Sequence, residues 1–104
     1  MAEVNFESIM GLIMNSGDAK SKAIEAIAAA KTGDFETAHQ GLKNAQEALV
    51  QAHKSQTSLL TQEAQGDKLE VTLLTVHAQD HLMTSIAFVD LAKEIIDLHS
   101  KFEQ

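Results

Sequence analysis

Two glycine–aspartate pairs, Gly33-Asp34 and Gly66-Asp67, cut a chain without a single proline into three stretches of similar length. Glycine closes a helix in the left-handed conformation, and aspartate opens the next helix or turn by accepting backbone N–H groups. With no proline, many alanines and 4% aromatic residues, each stretch reads as helix. A stretch of roughly 30 residues is about 45 Å long as a helix. Short connections between long helices force antiparallel neighbours. The expectation is therefore all-α: an antiparallel up-down-up three-helix bundle, one domain over residues 1–104.

The second stretch carries the clearest pattern. Phe35, Ala38, Leu42, Ala45, Leu49, Ala52 and Leu59 recur by threes and fours, the seam of a bundle helix. The first stretch carries Phe6, Ile9, Ile13, Ile24 and Ile27 at helical spacing. Its middle, Asn15-Ser16-Gly17-Asp18, could be a solvated part of one helix or a break between two; one long helix is expected. No internal repeat or low-complexity linker interrupts the chain.

Composition removes several function classes. The chain has 15 acidic and 8 basic side chains, a net charge of −7 and no arginine. Neutralising a phosphate backbone needs a basic face, so no nucleic-acid partner is expected. Cysteine is absent, which excludes disulfides, thiol nucleophiles and zinc–thiolate sites. The acidic start, with Glu3 and Glu7, has neither the cationic nor the apolar part of a signal peptide, and no run is long enough to span a bilayer. A cytoplasmic protein without direct membrane insertion is the expectation.

The third stretch has too much apolar surface for one chain. At about 100° per residue its polar face is narrow: Thr72, Thr75, Gln79, Asp90, Lys93 and Asp97. One apolar face, Val71, Leu74, Ala78, Leu82, Val89 and Ile96, suits the core of a single bundle. A second holds Leu73, Ala87, Leu91, Leu98 and Phe102. Three packed helices give each one buried stripe, so the second face calls for self-association through the third helix.

Into that second face the sequence inserts His77, Asp80 and Thr84, with His81 at its edge. Their i, i+3, i+4, i+7 spacing stacks them on one surface. Two imidazoles and a carboxylate amid leucines are costly unless used. Three uses fit the residue types. His and Asp at this spacing can share a divalent ion, and His77-Ala78-Gln79-Asp80-His81 resembles the H-x-x-E-H order of some zinc peptidases with Asp for Glu. An imidazole near neutral pH is also a nucleophile that can carry a phosphoryl group on a ring nitrogen. Finally, a pH-sensitive polar layer can fix register in a coiled assembly.

The run Val76-His77-Ala78-Gln79-Asp80-His81-Leu82-Met83-Thr84-Ser85 closely resembles the signature of the lactose/cellobiose class of sugar phosphotransferase IIA proteins. Met10-Gly11-Leu12-Ile13-Met14-Asn15-Ser16-Gly17 is similar to that family's first-helix motif. Lys31-Thr32-Gly33-Asp34-Phe35 and Ala52-His53-Lys54-Ser55-Gln56-Thr57 are similar to its second-helix neighbourhood. The resemblance covers nearly the whole chain.

It implies a three-helix bundle assembled as a homotrimer of nine helices. It implies that His77 accepts a phosphoryl group from the phosphorylated histidine of HPr and passes it to a cysteine of the cognate IIB component. The sugar would be of lactose, cellobiose or chitobiose type. The resemblance places Asp80 as a metal ligand on the trimer axis, with one divalent ion, magnesium, per trimer. Gln79 and His81 become neighbours of the phosphorylation site, although angular position sets Gln79 on the wetter side. His39, His53 and His99 are left as surface or packing residues, and Met10, Met14 and Met83 as core or interface filler. The rival is a non-enzymatic three-helix protein-interaction module, since Gly33-Asp34-Phe35-Glu36-Thr37-Ala38 resembles the opening of a tetratricopeptide helix. No 34-residue period supports it.

Overall fold

A computed structural model describes residues 2–103; Met1 and Gln104, the two ends of the expected 1–104 domain, lie outside the described residues. Three helices follow in order: α1 over Ala2–Lys31, α2 over Phe35–Ala64 and α3 over Leu73–Glu103. They pack into a rod of 55 × 20 × 16 Å. Among the described residues there is no strand. None of the helices is long and apolar enough to cross a membrane.

Both glycine–aspartate pairs end helices. Gly33 and Gly66 have φ of 81° and 94°, the left-handed region where a Cβ is strained. After α1, the Gly33 amide donates to Ala30 O at 3.0 Å and the Asp34 amide to Ala29 O at 3.0 Å. After α2, Gly66 and Asp67 repeat the pattern onto Glu63 O and Gln62 O. These paired bonds satisfy carbonyls that the helix ends would leave orphaned. Asp34 then serves α2 as well, its carboxylate accepting from the Thr37 amide at 3.2 Å. Closing one helix and opening the next with one residue keeps the first connection as short as the sequence promises.

The second connection departs from expectation. Asp67 caps nothing, and α3 starts at Leu73. Thr72 caps it: its hydroxyl accepts from the Thr75 amide at 3.2 Å and its carbonyl from the Val76 amide at 3.0 Å. Val71 therefore lies in the connection, 81% exposed, and Leu74 is exposed too, so neither joins the core as expected. Ala78, Leu82, Val89 and Ile96 do, each at most 2% exposed.

α1 is a single helix through Asn15–Asp18, and the Asn15 amide group donates back to Gly11 O at 3.0 Å. Its buried face is not the one that its large residues mark. Phe6 and Ile24 are exposed; the buried positions are Ile9, Leu12, Ser16, Ala19, Ala23, Ala26 and Ala30. Close approach explains the choice of alanine. A Cβ on Gly41 would stand 3.1 Å from Ala26 Cβ, and one on Gly11 would stand 2.6 Å from Ser55 Oγ. The two pairs run in opposite directions along α1 and α2, as an antiparallel pair requires.

α3 leans more on α1 than on α2. Ser85 Oγ donates to Ser16 O at 2.9 Å, a buried bond that sets these two parallel helices in register. It divides the core in two. One half gathers Ala19, Ala23, Ala26, Leu42, Ala45, Val89 and Ile96; the other gathers Ile9, Leu12, Ala52, Leu59, Ala78 and Leu82. The second half lies under the His77–His81 turn.

Candidate functional site

The cap at Thr72 decides where the histidines fall. From Leu73 onward, side chains at 73, 77, 80, 84, 87, 91, 95 and 98 climb the exposed side of the helix by threes and fours. Leu73, Leu91, Leu98 and Phe102 are 86%, 61%, 55% and 83% exposed. His77, Asp80, Thr84 and Ala87 are exposed between them. A 3-4 repeat of this length is a coiled-coil seam without its partner.

His77 and His81, one turn apart, meet edge to face: ring centroids 4.5 Å apart, planes at 89°. His77 is exposed and His81 half-buried. The His81 Nδ1 atom is buried without a hydrogen-bond partner. An orphaned buried N–H is rarer than an orphaned lone pair, which favours the tautomer with its proton on Nε2. Burial, then the neighbouring His77, then the charge of Lys20 on α1 all push His81 below its ordinary pKa, while Asp80 pulls the other way. His81 is thus held as a neutral ring beside His77.

Asp80 is exposed and carries its carboxylate free of Thr84, whose hydroxyl is turned to Asp80 O at 2.8 Å along the helix backbone. Gln79 is exposed on another side of α3. It lines, with Asp80 at the rim, a groove of about 290 Å³ walled by Leu12, Leu59, Leu60, Leu69, Val71 and Val76. His77 instead borders a separate depression with Leu73 and Leu74. The structure brings His77, His81 and Asp80 to one stretch of surface and leaves Gln79 apart from His77 within the chain. His39 and His53 are exposed and His99 is half-buried, all on other turns. Met14 and Met83 are 67% and 54% exposed, outside the core.

Two features of the site escaped the sequence. The groove exists because the 65–72 connection folds back between α2 and α3. The charge of Lys20 acts on His81 because α1 packs alongside α3. Neither carries a local signal.

Among the described residues no three His, Cys, Asp or Glu side chains gather. What Asp80 offers is one carboxylate per chain, in the middle of an unpartnered seam. That donor fits a hard cation if several copies meet there.

Comparison with known proteins settles the class. The family model for the lactose/cellobiose specific IIA subunit of the PTS system matches residues 7–100. The lichenan-specific phosphotransferase enzyme IIA component of Bacillus subtilis is 48% identical over 104 residues, spanning 100% of this chain and 94% of the relative. The N,N'-diacetylchitobiose-specific EIIA component of Escherichia coli K12 is 46% identical over 102 residues, spanning 98% and 88%. A crystal structure of the PTS cellobiose specific enzyme IIA from Bacillus anthracis superposes with a TM-score of 0.93 at 44% identity, covering 95% of this chain and 91% of that one. Solution structures of the IIA(chitobiose)–HPr complex of the Escherichia coli phosphotransferase system give a TM-score of 0.83 at 44% identity, covering 96% and 97%. These likenesses set aside the non-enzymatic interaction module. The chain belongs to the lactose/cellobiose-specific IIA family of the sugar phosphotransferase system, whose members are phosphotransferases working through a phosphohistidine intermediate.

Proposed function

We propose that His77 is the residue phosphorylated in this chain, with phospho-HPr as donor and a cysteine of the IIB component as acceptor. The observation that carries this reading is the exposed His77 ring, packed edge-on against a neutral His81 on the unpartnered face of α3. A phosphocarrier needs a nucleophile that donor and acceptor can reach in turn. The sugar it serves is of the lactose, cellobiose or chitobiose type, as named for several of its relatives.

The chemistry balances without an outside base. The P–N bond to the donor imidazolium breaks as a ring nitrogen of His77 bonds phosphorus through its lone pair. Each ring keeps the proton on its other nitrogen, so the donor leaves as neutral imidazole and His77 becomes a phosphoimidazolium. In the second step the IIB thiolate attacks phosphorus and His77 leaves as neutral imidazole.

The unpartnered seam supports a homotrimer in which three α3 helices meet and the nine helices form one bundle. Three Asp80 carboxylates would then converge in an apolar layer, at a cost of several kcal/mol per uncompensated ion. A divalent ion with a preference for oxygen, magnesium, would offset that repulsion; its contribution is to assembly, not to the transfer.

Incubation with phosphoenolpyruvate, enzyme I and HPr tests the site. Wild-type protein and the His39→Ala, His53→Ala and His99→Ala variants should gain acid-labile phosphate. His77→Gln should gain none while keeping its helicity. Phosphate uptake by His77→Gln at wild-type stoichiometry would overturn the assignment.

A further inference from the structure

The 65–72 connection is a strap held at its two ends and weakly seated in its middle. At one end the Gly66 and Asp67 amides donate to Glu63 O and Gln62 O at 3.0 and 3.1 Å. At the other, Thr72 caps α3 and Thr75 Oγ donates to Glu70 O at 3.3 Å. Between these anchors Leu69 alone is not exposed, and it rests half-buried on the core half that contains Ile9, Leu12 and Leu59.

The strap is hollow on both sides. The groove of about 290 Å³ lies on one, with Leu69 and Val71 in its wall. A second cavity of about 210 Å³ lies on the other, between Leu69, Glu70 and Thr72 of the strap and Asn5, Phe6 and Ile9 of α1. A segment that is close-packed on neither side has room to move. The same end of the rod leaves two complementary polar atoms buried and without a hydrogen-bond partner among the described residues, the acceptor Asn5 Oδ1 and the donor Gln62 Nε2. The Gly11–Ser55 and Gly41–Ala26 contacts set these two residues at one level of the antiparallel α1–α2 pair. Well-packed interiors pair such groups, so this end has slack.

The groove also has a side chain of the strap at its edge. Val71 is 81% exposed, and Leu60 of the α2 wall is 57% exposed. We propose that the strap is a lid: turning between Gly66 and Thr72, it carries Val71 into the groove against Leu60 and covers the rim formed by Gln79 and Asp80. Burying one valine favours closure by about ten- to a hundredfold, and the strap's lost freedom opposes it, so both forms are populated. Closed, the lid hides the surface next to the phosphorylated turn and slows phosphoryl transfer; open, it leaves that surface to the partner protein. The gating rests on His77 being the phosphorylated residue, whereas the closure itself does not.

The chain has no cysteine, so Leu60→Cys combined with Val71→Cys in the full-length protein supplies its sole pair of thiols. A disulfide needs the two Cβ atoms about 3.5–4.5 Å apart, the contact that closure makes. Mild oxidation should give a disulfide within one chain, seen at single-chain mass in denaturing, non-reducing electrophoresis. The oxidised protein should keep its helicity and take up phosphate from phospho-HPr about tenfold more slowly than the same protein after reduction. A pair that stays reduced would overturn the closure. A disulfide that forms while uptake is unchanged would overturn the gating. Phosphate mapped to a different histidine would overturn the His77 reading and the gating with it, while the closure, read from the disulfide, would stand.

Discussion

Replacing Leu91 by aspartate should turn the proposed trimer into a folded monomer. Leu91 is 61% exposed in the single chain, so most of its apolar surface contributes nothing to the bundle. Full burial of a leucine side chain is worth about 1.5–3 kcal/mol, which leaves about 1–2 kcal/mol per copy for an interface. Three copies together offer about 3–6 kcal/mol, or roughly two to four decades in the trimerisation constant. Three aspartates in one layer add like-charge repulsion. The bundle itself should survive, because the buried face of α3 runs through Val89, Ala92 and Ile96. Sedimentation velocity over a dilution series reads the assembly, and far-UV circular dichroism reads the helices. The wild type should sediment as a trimer where Leu91→Asp sediments as a helical monomer. A variant that sediments like wild type, or a wild type that stays monomeric at every concentration, would refute the argument from the seam.

Other perturbations test separate parts of the structure. Chelation should weaken the trimer near neutral pH, and Asp80→Leu should give a trimer indifferent to chelator; an Asp80→Leu monomer would remove Asp80 from the axis. Leu82→Ala, at a position with 0% exposure in the core half beneath the histidines, should cost about 3–5 kcal/mol in urea unfolding. Asp34→Ala should lower the thermal midpoint at pH 7 by removing the α2 cap. Hydrogen bonds from the Thr37 side chain and then its amide hold the Asp34 carboxyl below its ordinary pKa. Its stabilisation is therefore complete above the ordinary carboxylate pKa and lost as pH falls through the lowered value, so wild type and variant should converge in acid.

The sequence was most readable where one residue type has one structural use. Glycine at 33 and 66 could mark little but helix ends, and both take the left-handed conformation there. The α2 seam was readable because its large and small apolar residues fall on one stripe. α1 misleads because its weight of hydrophobicity lies off its buried face. Phe6 and Ile24 draw the eye, while Gly11 and Gly41 bring α1 and α2 so close that alanine and Ser16 fill the space between the helices. Periodicity read from large side chains favours the wrong stripe when helices pack this tightly. Val71 and Leu74 were misplaced because a cap at Thr72 starts α3 later than the glycine suggests. Of the site, His77, Asp80 and His81 share one helix and one period and so were visible together. The effect of Lys20 on His81 was not, since it depends on how α1 packs against α3.

The two duties proposed for α3 are laid out one after the other along its exposed face. The first three turns hold His77, Asp80 and His81, beside the 65–72 connection and the groove it forms. From Ala87 to Phe102 the same face is apolar and chemically inert. A phosphocarrier must release both partners quickly, whereas an assembly seam must stay closed. Concentrating the seam's apolar residues in the distal half keeps them off the reactive ring. The polar turn also limits how far the seam can extend toward the N-terminus of α3, because Asp80 and Thr84 interrupt the leucines just before His77. The costly residues thus stand at the boundary between a surface that must open and one that must not, and that position, rather than any local rarity of histidine, makes the turn legible as a site.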